Sequence, residues 1–147
     1  MVKLSEIKEG QEFNYEYGPV TRDMITEYGN ASGDKNPIHM DENFAVKYGK
    51  LGGVIAHGML SLGIAIKFLS DLVGDGEIIN VDSQMRGMVR PGDMYILNYK
   101  IEKIDGDKVS IDITEKSKTP IKIEKDGEIV KKFEAEEKGG IKQKDID

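Results

Sequence analysis

Thirteen of the twenty residues from Val54 to Val73 are apolar, and the titratable interruptions are only His57, Lys67 and Asp71. A run of that length and composition predicts a helix buried on most sides. Lys67 and Asp71 lie four apart near its C-terminal end, where both reach water at a domain surface, so a core helix fits better than a membrane span. Such a helix needs a wall of other elements to cover it, and the chain that follows supplies strands. Period-two patterning predicts strands at 78–88, 94–104, 109–114, 121–124 and 128–135, clearest in Val109-Ser110-Ile111-Asp112-Ile113. Arg90-Pro91-Gly92-Asp93, Asp105-Gly106-Asp107 and Asp126-Gly127 separate them, the last two as tight hairpin turns. The expected architecture is α+β, an antiparallel sheet wrapped around one long central helix.

Ahead of that helix, Glu12-Phe13-Asn14-Tyr15-Glu16-Tyr17 alternates as a half-buried strand does. Thr21 can cap a helix running to about Asn30, and Asp41 a shorter one carrying Phe44, Ala45 and Tyr48. Between them stands Ser32-Gly33-Asp34-Lys35-Asn36-Pro37-Ile38-His39, which Gly33 and Pro37 are expected to keep out of helix. Eighteen residues past His39 comes Ala56-His57-Gly58-Met59-Leu60, so these two segments hold both histidines of the protein. A carboxylate and an imidazole five residues apart in a constrained loop form a candidate acid/base pair, Asp34 with His39.

Composition narrows the chemistry. The chain has 147 residues, enough for one domain with its own core, read as 1–147 with a frayed polar tail at 139–147. It has no cysteine, which excludes disulfides and thiolate nucleophiles and fits a reducing cytoplasm. A net charge of −6 argues against a nucleic-acid partner. The N-terminus lacks the apolar core of a signal peptide, so the expectation is a soluble cytoplasmic protein with no membrane partner.

Taken in order, Ser32-Gly33-Asp34-Lys35-Asn36-Pro37-Ile38-His39, Ala56-His57-Gly58-Met59-Leu60 and Val89-Arg90-Pro91-Gly92-Asp93 resemble the MaoC-like dehydratase family, whose best-known members are (R)-specific enoyl-CoA hydratases. The resemblance implies a single hotdog domain, a homodimer with active sites at the subunit interface, and reversible hydration of trans-2-enoyl-CoA to (R)-3-hydroxyacyl-CoA. It implies no cofactor beyond the coenzyme A carried by the acyl-CoA substrate. On that reading Asp34 and His39 hold one water between them, and the backbone N–H of Gly58, at the start of the central helix, polarises the thioester carbonyl.

Other residues support these. Gly33 and Pro37 shape the loop, Asn36 braces it through backbone hydrogen bonds, and His57 packs beside the apolar helix. Arg86 and Arg90, on and after the first strand past the helix, can meet the carrier's phosphates. Asp34, His39 and His57 can also be drawn as a two-histidine, one-carboxylate metal triad, although the resemblance assigns those positions without a metal. Some members of the family place a serine on the central helix one or two turns past His-Gly-Met. This chain has Ala65 and Ile66 there, and Ser61 is expected on another side of the helix. In the last strands the family's Asn-containing segment is replaced by Ser117-Lys118-Thr119-Pro120-Ile121. Two other functions stay open: a hotdog thioesterase, which attacks the carbonyl instead of the β-carbon, and a non-catalytic acyl-CoA binding or partner subunit.

Overall fold

The computed structural model describes residues 1–132. A turn of 3-10 helix at Leu4–Glu6 leads into β1 (Glu12–Tyr17), followed by α1 (Arg22–Ser32), α2 (Pro37–Met40), α3 (Glu42–Lys47) and α4 (Gly58–Val73). Four strands complete it: β2 (Met94–Asp105), β3 (Lys108–Lys118), β4 (Lys122–Lys125) and β5 (Glu128–Lys132). The expected tail at 139–147, and the end of the last expected strand, lie outside the described residues.

One sheet runs in the order β1-β2-β3 and is antiparallel throughout. Tyr17 faces Tyr95 across β1 and β2, and β2 returns into β3 through a two-residue turn between the paired Asp105 and Lys108. The inward positions of β2 are Tyr95, Leu97, Tyr99 and Ile101, all buried, and Ile111 and Ile113 of β3 continue that face. Against it lies α4, burying Ile64, Ala65, Leu69 and Leu72. Burying each large apolar side chain contributes about 1.5–3 kcal/mol, so this contact is the main cohesion of the fold. Polar tips are satisfied within the same layer: Tyr99 Oη donates to the Ala65 carbonyl at 2.6 Å, and the ring of Tyr15 stacks on Phe68 with centroids 5.1 Å apart.

Five expectations need correction. First, α4 begins at Gly58 and not at Val54. Residues 54–57 are buried but extended, because their backbone is used sideways: Ile55 N donates to Ile38 O and Ala56 N to Val89 O. Second, α4 is buried on one face and not on most sides, with Met59 56% exposed. Third, 78–88 is not a strand. Ile78, Ile79, Val81, Met85 and Met88 are exposed there, and no strand of the described residues pairs with this segment. Alternation specifies a strand only where a neighbour offers its backbone. Arg86 and Arg90 therefore sit on irregular chain.

Fourth, the segment 32–39 is partly helical. Proline is tolerated at the first helical position, where its missing N–H has no intrahelical partner. Pro37 takes that position in α2, Asn36 caps it, and His39 is carried on a helical turn. Fifth, the strands after β3 depart from one continuous meander. β4 and β5 form their own two-stranded hairpin, turning at Asp126 and Gly127, both at positive φ as that turn requires.

Candidate active site

Local capping builds the loop that carries the acid. Gly33 ends α1 in the left-handed region at φ 81°, its N–H donating to Gly29 O. Three side chains then fold the backbone onto itself. Asp34 N donates to Ser32 Oγ, Asn36 N to Asp34 Oδ1 and Ile38 N to Asn36 Oδ1. The short helix that follows turns the imidazole of His39 inward, where its Nδ1 lies 2.6 Å from Ile55 O. A carbonyl only accepts, so Nδ1 carries the proton and Nε2 of the neutral ring is left with a lone pair.

His57 braces this arrangement from below. It is 1% exposed, stacks on the His39 ring at 4.0 Å between centroids, and receives the edge of Tyr28 at 4.8 Å. Its Nε2 donates to the main-chain carbonyl of Asp34 at 2.8 Å, which leaves Nδ1 buried without a partner among the described residues. Ligand-capable atoms of Asp34, His39 and His57 all lie within 4.8 Å of one another. With two ring nitrogens committed as donors, the His39 Nε2 lone pair and the exposed Asp34 carboxylate remain, while the second nitrogen of His57 is buried. That pair can hold a water between them.

His57 is also the N-cap of α4, so Gly58 provides the first N–H of that helix, a donor with no partner among the described residues, at the positive end of the helix dipole. A cavity of about 520 Å³ opens beside Gly58 and runs along α4 past Ser61 and Ala65 toward Tyr95 and Glu115. Ser61 and Ala65 thus share a face, contrary to the side expected for Ser61, and Ser61 Oγ is 2.7 Å from Tyr95 Oη. Burial pushes the Tyr95 hydroxyl up to about 12 and the Glu115 carboxyl up to about 7.

Asp34, His39 and His57 are therefore brought together, with Gly58 following His57 in the chain at the head of α4 and Gly33, Asn36 and Pro37 shaping the loop. The two arginines are not part of that group. Arg86 is exposed, bonded to Gln84 and at the cavity wall. Arg90 helps close the turn before β2, its backbone N–H donating to the buried Asp93.

The sequence reading missed the Arg22–Glu42 pair. Arg22 Nε and Nη2 grip both oxygens of Glu42 at 3.1 and 2.8 Å, and Glu42 also accepts from Val54 N. The guanidinium hydrogen bond holds the Glu42 carboxyl below its usual range. The pair ties α1 and α3 to the segment that leads into His57. Twenty residues separate the partners, and no local pattern announces such a contact.

Comparison with known proteins places this geometry among relatives. The chain resembles a protein of Archaeoglobus fulgidus at 28% identity and TM-score 0.65, over 76% of this chain and 70% of the other. It resembles the (R)-hydratase from A. caviae involved in PHA biosynthesis at 22% identity and TM-score 0.66, over 76% and 86%. The R-hydratase PhaJ1 from Pseudomonas aeruginosa aligns at 19% identity and TM-score 0.61, over 82% and 92%. The last two likenesses establish the fold. The family model of the MaoC like domain matches residues 4–131, nearly the whole described chain and every segment that builds the site. The chain, a hotdog fold with its histidines and Asp34 gathered at the head of the central helix, belongs to the MaoC-like domain family.

Proposed function

We propose that this protein reversibly hydrates trans-2-enoyl thioesters, with acyl-CoA as substrate, to (R)-3-hydroxyacyl thioesters. The observation that carries the reading is the convergence of the Asp34 carboxylate and the His39 imidazole on His57, the N-cap of the helix whose first N–H is that of Gly58. A water held between Asp34 and His39 Nε2 loses a proton to this pair as its oxygen bonds to the β-carbon. The α–β double bond becomes an enolate whose oxygen faces the Gly58 N–H. The pair then returns a proton to the α-carbon, so both parts of one water reach the same face. Removal of water is the reverse path. The protein supplies no cofactor in this scheme.

The active form in this reading is a homodimer in the cytoplasm. The exposed apolar side chains of 78–88, unpaired and next to the cavity, support a second copy as their cover. Arg86, on that segment, is placed to meet the phosphates of coenzyme A.

Loss of the conjugated-thioester absorbance of crotonyl-CoA, with free thiol followed in parallel, tests the reaction. Absorbance loss without thiol, absent in Asp34→Asn, supports the hydratase. Thiol release supports a thioesterase. Binding without turnover on crotonyl, longer and branched substrates supports a binding or partner subunit.

A further inference from the structure

We propose that the cavity beside Gly58 is built for an acyl group whose far end carries a hydrogen-bond donor, a hydroxyl or an amine, with Glu115 as its acceptor. The inference rests on the reading of Gly58 as the carbonyl's partner, because that fixes which end of the substrate enters the cavity.

The inward face of β3 reads Val109, Ile111, Ile113 and then Glu115, so a carboxyl takes a position the strand otherwise gives to apolar side chains. It lines the same cavity as Gly58, with Ser61, Tyr95 and Met85 between or around them. Its Oε2 is buried and has no hydrogen-bond partner among the described residues, and no cation is paired with it there. A buried acceptor left unpaired is costly, and a site holding one discriminates against ligands that cannot satisfy it. A methyl-terminated acyl chain would leave Glu115 in that state. A terminal hydroxyl or ammonium would satisfy it, with the Ser61–Tyr95 hydroxyl pair beside it as further donor and acceptor. Desolvation raises the Glu115 carboxyl to about 7, so both its neutral and ionised forms are within reach of a bound donor.

The test uses S-alkyl thioethers of coenzyme A, in which a methylene takes the place of the thioester carbonyl, so that there is no carbonyl for water or the terminal hydroxyl or amine to attack. Calorimetry compares methyl-, hydroxyl- and amine-terminated chains of four to six carbons on the wild-type protein, Glu115→Gln and Glu115→Leu. At one chain length or more, a donor-terminated analogue should bind roughly 10- to 100-fold tighter than its methyl counterpart. Glu115→Leu should abolish or invert that ratio. Glu115→Gln, which keeps an acceptor but no charge, should retain a hydroxyl preference and lose an amine preference, which separates the two donors and guards against misfolding of the leucine variant. Equal or tighter binding of the methyl series, or an unchanged ratio in Glu115→Leu, overturns this inference alone. No binding of any analogue overturns it together with the acyl-CoA reading.

Discussion

The Nε2–H of His57 donates to the main-chain carbonyl of Asp34 across 2.8 Å, so a fully buried ring fixes the backbone from which the exposed carboxylate projects. His57 is in that sense a strut for the acid and a stacking platform for the base, His39. Its position also makes it the N-cap of α4, which couples the loop to the Gly58 N–H.

This coupling predicts distinct phenotypes for the two histidines. His57→Ala should lower stability by about 1–3 kcal/mol, because it strands the Asp34 carbonyl and empties a buried site. Its activity should fall through kcat, with the shape of the pH–rate profile the same as that of the wild type, since the acid/base groups remain. Urea melts and a pH profile check both halves. An unchanged melt would contradict the strut.

Asp34→Asn and His39→Ala should each cut turnover by roughly 100- to 10,000-fold, the usual contribution of a general acid or base. Asp34→Asn should leave the melting temperature nearly unmoved, because the carboxylate is exposed and asparagine keeps the oxygen that caps Asn36 N. Steady-state kinetics on crotonyl-CoA read the effect. Full activity in either variant would remove that residue from the mechanism.

Dialysis against a chelator should leave activity and melting temperature unchanged. The donor set of Asp34, His39 and His57 has the residue types of a metal triad. Its ring nitrogens are already oriented by the carbonyls of Ile55 and Asp34 and need no ion to hold them. Activity that disappears with the chelator and returns with a divalent cation would replace the water between Asp34 and His39 with a metal.

Much of this site is legible in the order of the amino acids alone. Thr21, Asn36 and Asp41 cap helices through their own side chains, and a cap is a local contact that a short stretch of sequence contains in full. The hairpin turns at 106–107 and 126–127 are local in the same way. The features that patterning misplaces share the opposite property. Whether 78–88 forms a strand depends on a partner backbone, and where α4 starts depends on Ile38 and Val89 accepting the N–H groups of 55 and 56. Ser61 shares the face of Ala65, as a spacing of four in a helix requires, and the expectation that separates them is at odds with that geometry; what no local pattern shows is its partner Tyr95, 34 residues away. Glu115 is the overlooked signal that the sequence does hold, an acid on the apolar period of Val109, Ile111 and Ile113.

The exposed apolar segment yields a prediction about assembly. Val81→Asp and Ile79→Asp put charge on side chains that are exposed in the single chain, where surface substitutions cost little. If a second copy covers them, the variants should sediment as monomers at concentrations where the wild type is dimeric, with loss of activity. Sedimentation velocity reads this directly. A wild type that is monomeric throughout would return 78–88 to solvent.

Glu115 gives the pH dependence of stability a sign. Desolvation raises its carboxyl from an ordinary 4.5 to about 7 in the fold, so the folded protein holds a proton that the unfolded chain has released between those values. The contribution is fully present below about 4.5, declines as pH rises through about 7, and is flat above. Because the group is partly exposed, screening limits the total to about 1–2 kcal/mol. Glu115→Gln carries no titrating proton and should therefore be more stable than wild type at pH 8, and the difference should close at pH 5. Denaturant melts of both proteins across that range check it. A constant gap between the two curves would mean that Glu115 titrates as an ordinary surface carboxylate, and that its buried oxygen finds a partner in solution.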